Sequence, residues 1–187
     1  MFDIDNIATL SGLDKNSIRA FLPDILNAIR NYTHKSFITD VSISGNIVIN
    51  DNNQIIIEGE IPEGIIPESQ IELRYSNNNT RIYTIKSIEN NIIETYEKLF
   101  AENFNGFLIK LSFKNIDNTM ISSMASYKQS SINSLGVKSE SVDGYVYTLD
   151  TDSSNDGFPL SIMKSFNSLR QLSGSEKLEY YRMGYVK

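Results

Sequence analysis

The side chains that could carry chemistry in this 187-residue chain are few. Histidine occurs once, as His34, and cysteine not at all. Without thiols there is no disulfide framework, no cysteine nucleophile and no thiolate zinc site. One imidazole cannot supply a metal centre of two or three histidines, and any Ser-His-Asp triad would rest on His34 alone. His34 closes the stretch Tyr32-Thr33-His34-Lys35. It is therefore either a general base or the residue that ends a helix, where a partial positive charge suits the helix dipole. No oriented nucleophile and acid accompany it in the sequence, which favours the cap.

The carboxylates Glu58, Glu60, Glu63, Glu68 and Glu72 could be paired into an acid–base site. They are flanked by turn signals, so the expectation is a solvated face rather than a desolvated cleft that would raise a carboxyl pKa. Residues 150–157 alternate oxygen-bearing side chains like the opening of a calcium loop, from Asp150 and Asp152 to Asp156. Asn155 stands where that loop needs its sixth-position glycine and Ser161 where it needs its closing glutamate, so a solvated loop leading into a Pro159 helix is expected. The chain has no glycine-rich phosphate loop followed by lysine, no dinucleotide fingerprint and no Gly-x-Ser-x-Gly elbow. The expectation is a protein that is not an enzyme and holds no cofactor or metal.

Two segments point to partners instead. Ile65 and Ile66 lie between Pro62 and Pro67, where they either fold back onto neighbouring strands or dock on another subunit. After Ser173-Gly174-Ser175, the tail carries Leu178, Tyr180, Tyr181, Met183, Tyr185 and Val186. These anchors can be buried by packing back or by reaching a neighbour, and the preceding hinge favours the neighbour.

The composition, 40% hydrophobic and 10% aromatic, can fill a core. A net charge of -6 argues against broad capture of nucleic acid through phosphate neutralisation. No run approaches the roughly 18 apolar residues of a membrane span, and Met1–Asp5 lacks the basic start of a signal peptide, so folding in a cytosol is expected. Frequent isoleucine, asparagine and serine suggest coding DNA rich in A and T.

The elements that must position these residues fall into three stretches. Ile4, Ile7 and Leu10 predict a short helix ending at Ser11-Gly12. Ile18, Phe21, Leu22, Ile25, Leu26, Ile29 and Tyr32 predict an amphipathic helix capped by Asp14 or Ser17, with Pro23 either kinking it or delaying its regular part to Leu22. From about Thr39 to Phe113 the period becomes two, in short runs at 41–43, 47–49, 55–57, 71–75, 82–85, 92–94 and 107–113. Turn signals at 50–53, 62–64, 77–79 and 89–91 separate them, which predicts five to seven strands in an antiparallel barrel or sandwich. A helical stripe then runs from Ile116 to Leu135 and stops at Gly136. Val142 and Tyr145 flank a tight hairpin turn at Asp143-Gly144, and Ile162, Met163, Phe166 and Leu169 form a last short helix after Pro159.

This order resembles the head–tail connector, or adaptor, proteins of tailed bacteriophages. The N-terminal block, Leu10 to Leu13 and then Ala28 to Phe37, looks like the family's helix ending in an aromatic, a small polar residue, a basic residue and phenylalanine. Val137 to Tyr147 is similar to its Ser-Glu-Ser hairpin with a glycine and tyrosine, and Phe158 to Leu172 to its closing helix. The two blocks cover about half the chain. Asn78 to Ile88 is similar to strand pairs in small barrels of other virion proteins.

The resemblance implies an α+β fold, a small helical bundle with a β-hairpin in residues 1–39 and 114–172. Residues 40–113 depart from the family's pattern and read as an antiparallel barrel or sandwich inserted between helices, and 173–187 would form an extended tail. It implies a structural virion protein at the head–tail interface, assembled in the bacterial host cytoplasm. Copies would form a ring, typically dodecameric, that binds the portal protein, extends the DNA channel without sequence-specific binding or membrane contact, and offers a platform to the tail-completion (stopper) protein. The family's C-terminal segments often contact the portal, which would place Leu178, Tyr180, Tyr181, Met183 and Tyr185 at an interface. An acidic ring would let phosphates pass, whereas a basic one would hold them. The alternative is a barrel module of a phage tail or baseplate that recognises host-surface carbohydrate, with Tyr75, Tyr83 and Tyr96 as aromatic platforms.

Overall fold

A computed structural model describes residues 2–133, 139–142, 145–148 and 157–171. The first helix, α1, spans Ile4–Ser11; the Asp3 side chain accepts the Asn6 amide at its start, and Gly12 ends it in the left-handed conformation that glycine adopts without strain. The second, α2, runs unbroken over Lys15–Thr33, with Asp14 capping both the Asn16 and Ser17 amides. These bonds, led by the Ser17 hydroxyl, hold the Asp14 carboxyl below its usual range. Pro23 sits inside α2 and is buried, so a regular part starting only at Leu22 is corrected. His34 is its C-cap, at φ 55 and ψ 26.

Six strands follow: β1 Ile38–Ile49, β2 Gln54–Ile57, β3 Gln70–Arg74, β4 Ile82–Glu89, β5 Ile92–Thr95 and β6 Glu102–Leu111. They close a barrel in the order β1-β2-β5-β4-β3-β6, with every neighbour antiparallel and β6 pairing back to β1. The runs at 41–43 and 47–49 are one strand, because Gly45 continues it at φ 138, where another residue would be strained. Gly106 has a different reason: a Cβ there would lie 2.3 Å from the Arg74 carbonyl oxygen, so only glycine lets β6 approach β3.

Isoleucines fill the barrel, among them Ile47, Ile49, Ile55, Ile57, Ile71, Ile85 and Ile93, with Tyr83 and Leu108 between them. Each such burial contributes about 1.5–3 kcal/mol and leaves no room for a bore. Ile65, from the β2–β3 connection, and Leu99, from the β5–β6 connection, join this core.

The third helix, α3, spans Asn118–Asn133; strands β7 (Ser139–Val142) and β8 (Tyr145–Thr148) pair antiparallel; α4 (Leu160–Met163) continues as a 3-10 turn over Lys164–Leu169. The sequence placed Asp143-Gly144 at that hairpin's turn, and Gly136 at the end of α3; both positions lie outside the described residues. Val142 opposes Tyr145. A second core joins α1, α2, α3 and the Phe158–Phe166 segment through Ile7, Ile18, Leu22, Ile25, Ile29, Ile121, Met124 and Met163. Ile82 and Leu111 of the barrel belong to it, and Phe113 stacks on Phe37 at 4.6 Å. The barrel and the helices therefore share a wall. The Gln171 amide donates to the Thr33 carbonyl at 2.7 Å, and the Tyr32 hydroxyl bonds Asn167, so the end of α2 is tied to the last described residues.

Candidate functional site

The side chains with unusual environments gather on the seam where α2 crosses the barrel. Arg19 and Arg30 are eleven residues apart, almost a whole number of helical turns, and so share one face of α2. Arg19 meets Glu68 at 3.2 Å, and Arg30 meets Glu72 at 3.3 Å. Arg74 reaches the other oxygen of Glu72 at 3.4 Å, and the Tyr96 hydroxyl donates to Glu68 at 2.6 Å. The Glu68 carboxylate holds that phenolic proton and raises the Tyr96 pKa above its usual value. The Arg19 guanidinium also lies 4.4 Å from the centre of the Tyr96 ring. Glu68 and Glu72 are thus half-buried pins between helix and barrel, which corrects the expectation of a solvated face for these two. Glu58, Glu60 and Glu63 are exposed as expected.

Beside Arg19 the seam opens into a cavity of about 420 Å³, lined by Asn16, Arg19, Arg81, Tyr96, Glu97 and Lys98. Glu97 accepts the Thr84 amide through Oε2 at 2.7 Å. Burial dominates its environment and raises its pKa, despite that bond and the nearby Arg81. Among the described residues, the buried side-chain polar atoms without a partner are Arg19 Nε, Thr84 Oγ1 and Glu97 Oε1, and all three residues belong to this corner of the seam. Arg81 and Lys98 are exposed on its rim, and neither lies in a salt bridge among the described residues. The cavity thus pairs a carboxyl held toward its neutral form with three cationic side chains. Arg19 is already paired with Glu68, and the Arg81 guanidinium donates to the Lys98 carbonyl at 2.8 Å.

His34 does not join it. It lies at the other end of α2, fifteen residues from Arg19 and so about 22 Å along the helix axis. An acid–base pair with Glu97 is out of reach. No group of three or more His, Cys, Asp or Glu side chains suited to a metal ion occurs among the described residues.

No family model and no curated protein matches this sequence. The assignment of a role therefore rests on the residues themselves.

Ile65 and Ile66 divide the two fates open to them. Ile65 folds back and is buried in the barrel, so it is not available as a partner contact. Ile66 remains 46% exposed and lines a second cavity of about 360 Å³ with Phe2, Lys110, Phe113 and Lys114. Leu178, Tyr180, Tyr181, Met183 and Tyr185 lie outside the described residues, as does the calcium-like loop over 150–156. The three candidate platforms also separate. Tyr83 is buried in the barrel, which raises its pKa, and Tyr96 is held by Glu68. Only Tyr75 stands out, 74% exposed and 5.8 Å from the ring of Phe107.

Sequence reasoning missed Arg19, Arg30, Glu97 and Glu102. The eleven-residue spacing of the two arginines was the available signal for the first pair. Glu102 opens β6 and accepts five donors from residues 76–79, a role that only the fold reveals.

Proposed function

We propose that this chain is a structural subunit of a ring at the head–tail interface of a tailed phage, set between portal and tail. It extends the DNA channel and presents a platform for tail completion. One observation carries the reading: the N-terminal block that resembles connector proteins and the closing segment of the C-terminal one, Phe158 to Leu169, contribute to one core. α1 and α2 pack with α3, Phe158 and Phe166, while the intervening segment closes into its own barrel. That is the arrangement expected when a barrel is inserted into a connector-like helical bundle. The Arg19–Glu68 and Arg30–Glu72 pairs further support the reading, since they join the insert to the helices. The tail supplies the portal contact. Replacing Tyr180, Tyr181 and Tyr185 together with alanine should abolish binding to portal rings; unchanged binding would overturn the role of the tail.

A second reading, a barrel module that binds host-surface carbohydrate, is favoured by the exposed Tyr75–Phe107 pair. It predicts that glycan binding to the whole protein falls on Tyr75→Ala, with portal binding unaffected.

A further inference from the structure

Exposed cations and exposed carboxylates gather at opposite ends of β4. β4 starts at the seam cavity, where Arg81 and Lys98 form the exposed rim above Arg19. It ends at Glu89 and the turn at Asn90, where Asn90 and Asn91 lie beside Gly59, Glu60 and Ile61 of the β2–β3 connection. At that second end Glu58, Glu60, Glu63 and Glu89 are all exposed, and none lies in a salt bridge among the described residues. Lys110, on the same end, donates to the Gly64 carbonyl. Asn46 donates to Glu58 at 3.3 Å, which leaves the carboxylate charge of Glu58 in place.

Within one molecule the later part of this connection reaches the seam, where Glu68 pairs with Arg19, while Gly59, Glu60 and Ile61 lie beside Asn90 and Asn91 at the far end of β4. From Arg81 to Asn90 the chain advances by nine residues, roughly 30 Å at the rise of a strand. The loop is also held at its end of the barrel by Ile65, which is buried in the core, and by the bond from Lys110 of β6 to the Gly64 carbonyl. Complementary surfaces at opposite ends of a rigid body are what a head-to-tail contact between copies requires, and repetition of such a contact closes a ring.

We infer that the acidic loop of residues 58–63 in one copy docks into the Arg19–Arg81–Lys98 cavity of the next. This rests on the ring reading above and specifies the contact that would build the ring. In the docked state a loop carboxylate meets Arg81 and Lys98. Arg19 Nε and Thr84 Oγ1 are buried at the same corner and have no partner among the described residues.

Charge reversal tests the contact on the full chain, read as mass by light scattering across protein concentration. Arg81→Glu with Lys98→Glu makes the cavity acidic, and Glu58→Lys, Glu60→Lys and Glu63→Lys together make the loop basic. Each variant alone should need a concentration at least about tenfold higher to assemble, because like charges then meet across every contact. An equimolar mixture of the two should assemble at the wild-type concentration, since each loop again meets an opposite cavity. Added salt should weaken wild-type assembly in the same sense. Because the chain has no cysteine, Glu60→Cys on one copy and Lys98→Cys on another should give a background-free disulfide dimer on oxidation.

Single-sided variants that assemble like the wild type, or a mixture that fails to recover while both variants stay folded, would overturn the contact and leave the ring reading standing. Absence of the disulfide dimer between copies that do assemble would do the same. A wild-type chain that stays monomeric at every concentration, with and without portal rings, would overturn the ring and this contact together.

Discussion

Glu102→Gln should unfasten one end of the barrel. Glu102 Oε1 accepts the Asn77 amide at 2.8 Å and the Asn77 side chain at 3.2 Å. Oε2 accepts the Ser76 hydroxyl at 2.7 Å, the Asn79 side chain at 3.1 Å and the Asn78 amide at 3.3 Å. Asn79, itself buried, passes the order on to the Phe100 amide at 2.9 Å and the Tyr83 hydroxyl at 3.3 Å. Glutamine keeps one acceptor oxygen and turns an NH2 group toward the other donors. Hydrogen bonds to a charged group contribute about 1.5–3 kcal/mol, and access to water at this half-buried position holds the loss near 2 kcal/mol. For a chain of this size that is a fall of about 4–8 °C in melting temperature.

The pH dependence has a definite sign. Burial raises the Glu102 pKa, but the bonds from residues 76–79 outweigh it and hold the group below its ordinary value of 4.5. A carboxyl depressed in the folded state stabilises it above that ordinary value, and the gain is lost as pH falls through the depressed one. The gap between wild type and Glu102→Gln should therefore be full at neutral pH and shrink in acid below 4.5. Thermal melts of both proteins across this range read it directly. Equal melting temperatures at neutral pH would refute the reasoning.

Glu97 has the opposite sign: its pKa is raised by burial, so wild-type stability should fall as pH rises from 4.5 toward neutral, and Glu97→Gln should lack that fall. Parallel melting-temperature curves for the two proteins would contradict this. Gly106→Ala should cost about 3 kcal/mol or more in urea unfolding, because the new methyl group meets the Arg74 carbonyl and the Phe104 ring; a loss below 1 kcal/mol, read against the about 1–3 kcal/mol usual for overpacking, would mean that β3 and β6 separate easily. Tyr75 holds φ at 67, so Tyr75→Gly should be more stable than Tyr75→Ala by about 1 kcal/mol, reversing the usual order of these residues outside turns. Equal stability would mean that the backbone relaxes there.

The periodic elements were legible because their signals are local. The helix stripe from Ile18 to Ile29, the caps at Asp14 and Gly12, and the alternating isoleucines at 47, 49, 55 and 57 all follow from one face being buried. Closure of the barrel and its strand order were not legible, because pairing β2 with β5 and β6 with β1 joins residues far apart in sequence. The start of β6 was missed for a related reason. Glu102, Asn103, Asn105 and Gly106 have poor strand propensity, and they are strand because β1 pairs with them along most of its length. Glu68 and Glu72 read as solvated since nothing near them in the chain is cationic except Arg74; their main partners come from α2. The seam cavity has the same origin, for Arg19 and Glu97 are brought together only by the docking of α2 on the barrel.

The central claim is that copies of this chain form a ring that engages a portal. Light scattering of the purified protein across concentration, alone and with portal rings, tests it most directly. The account predicts a large species of discrete mass, formed either by the protein alone or on addition of portal. A monomer that persists at every concentration and ignores the portal would contradict it and leave the exposed Tyr75–Phe107 pair, with its carbohydrate reading, as the better guide.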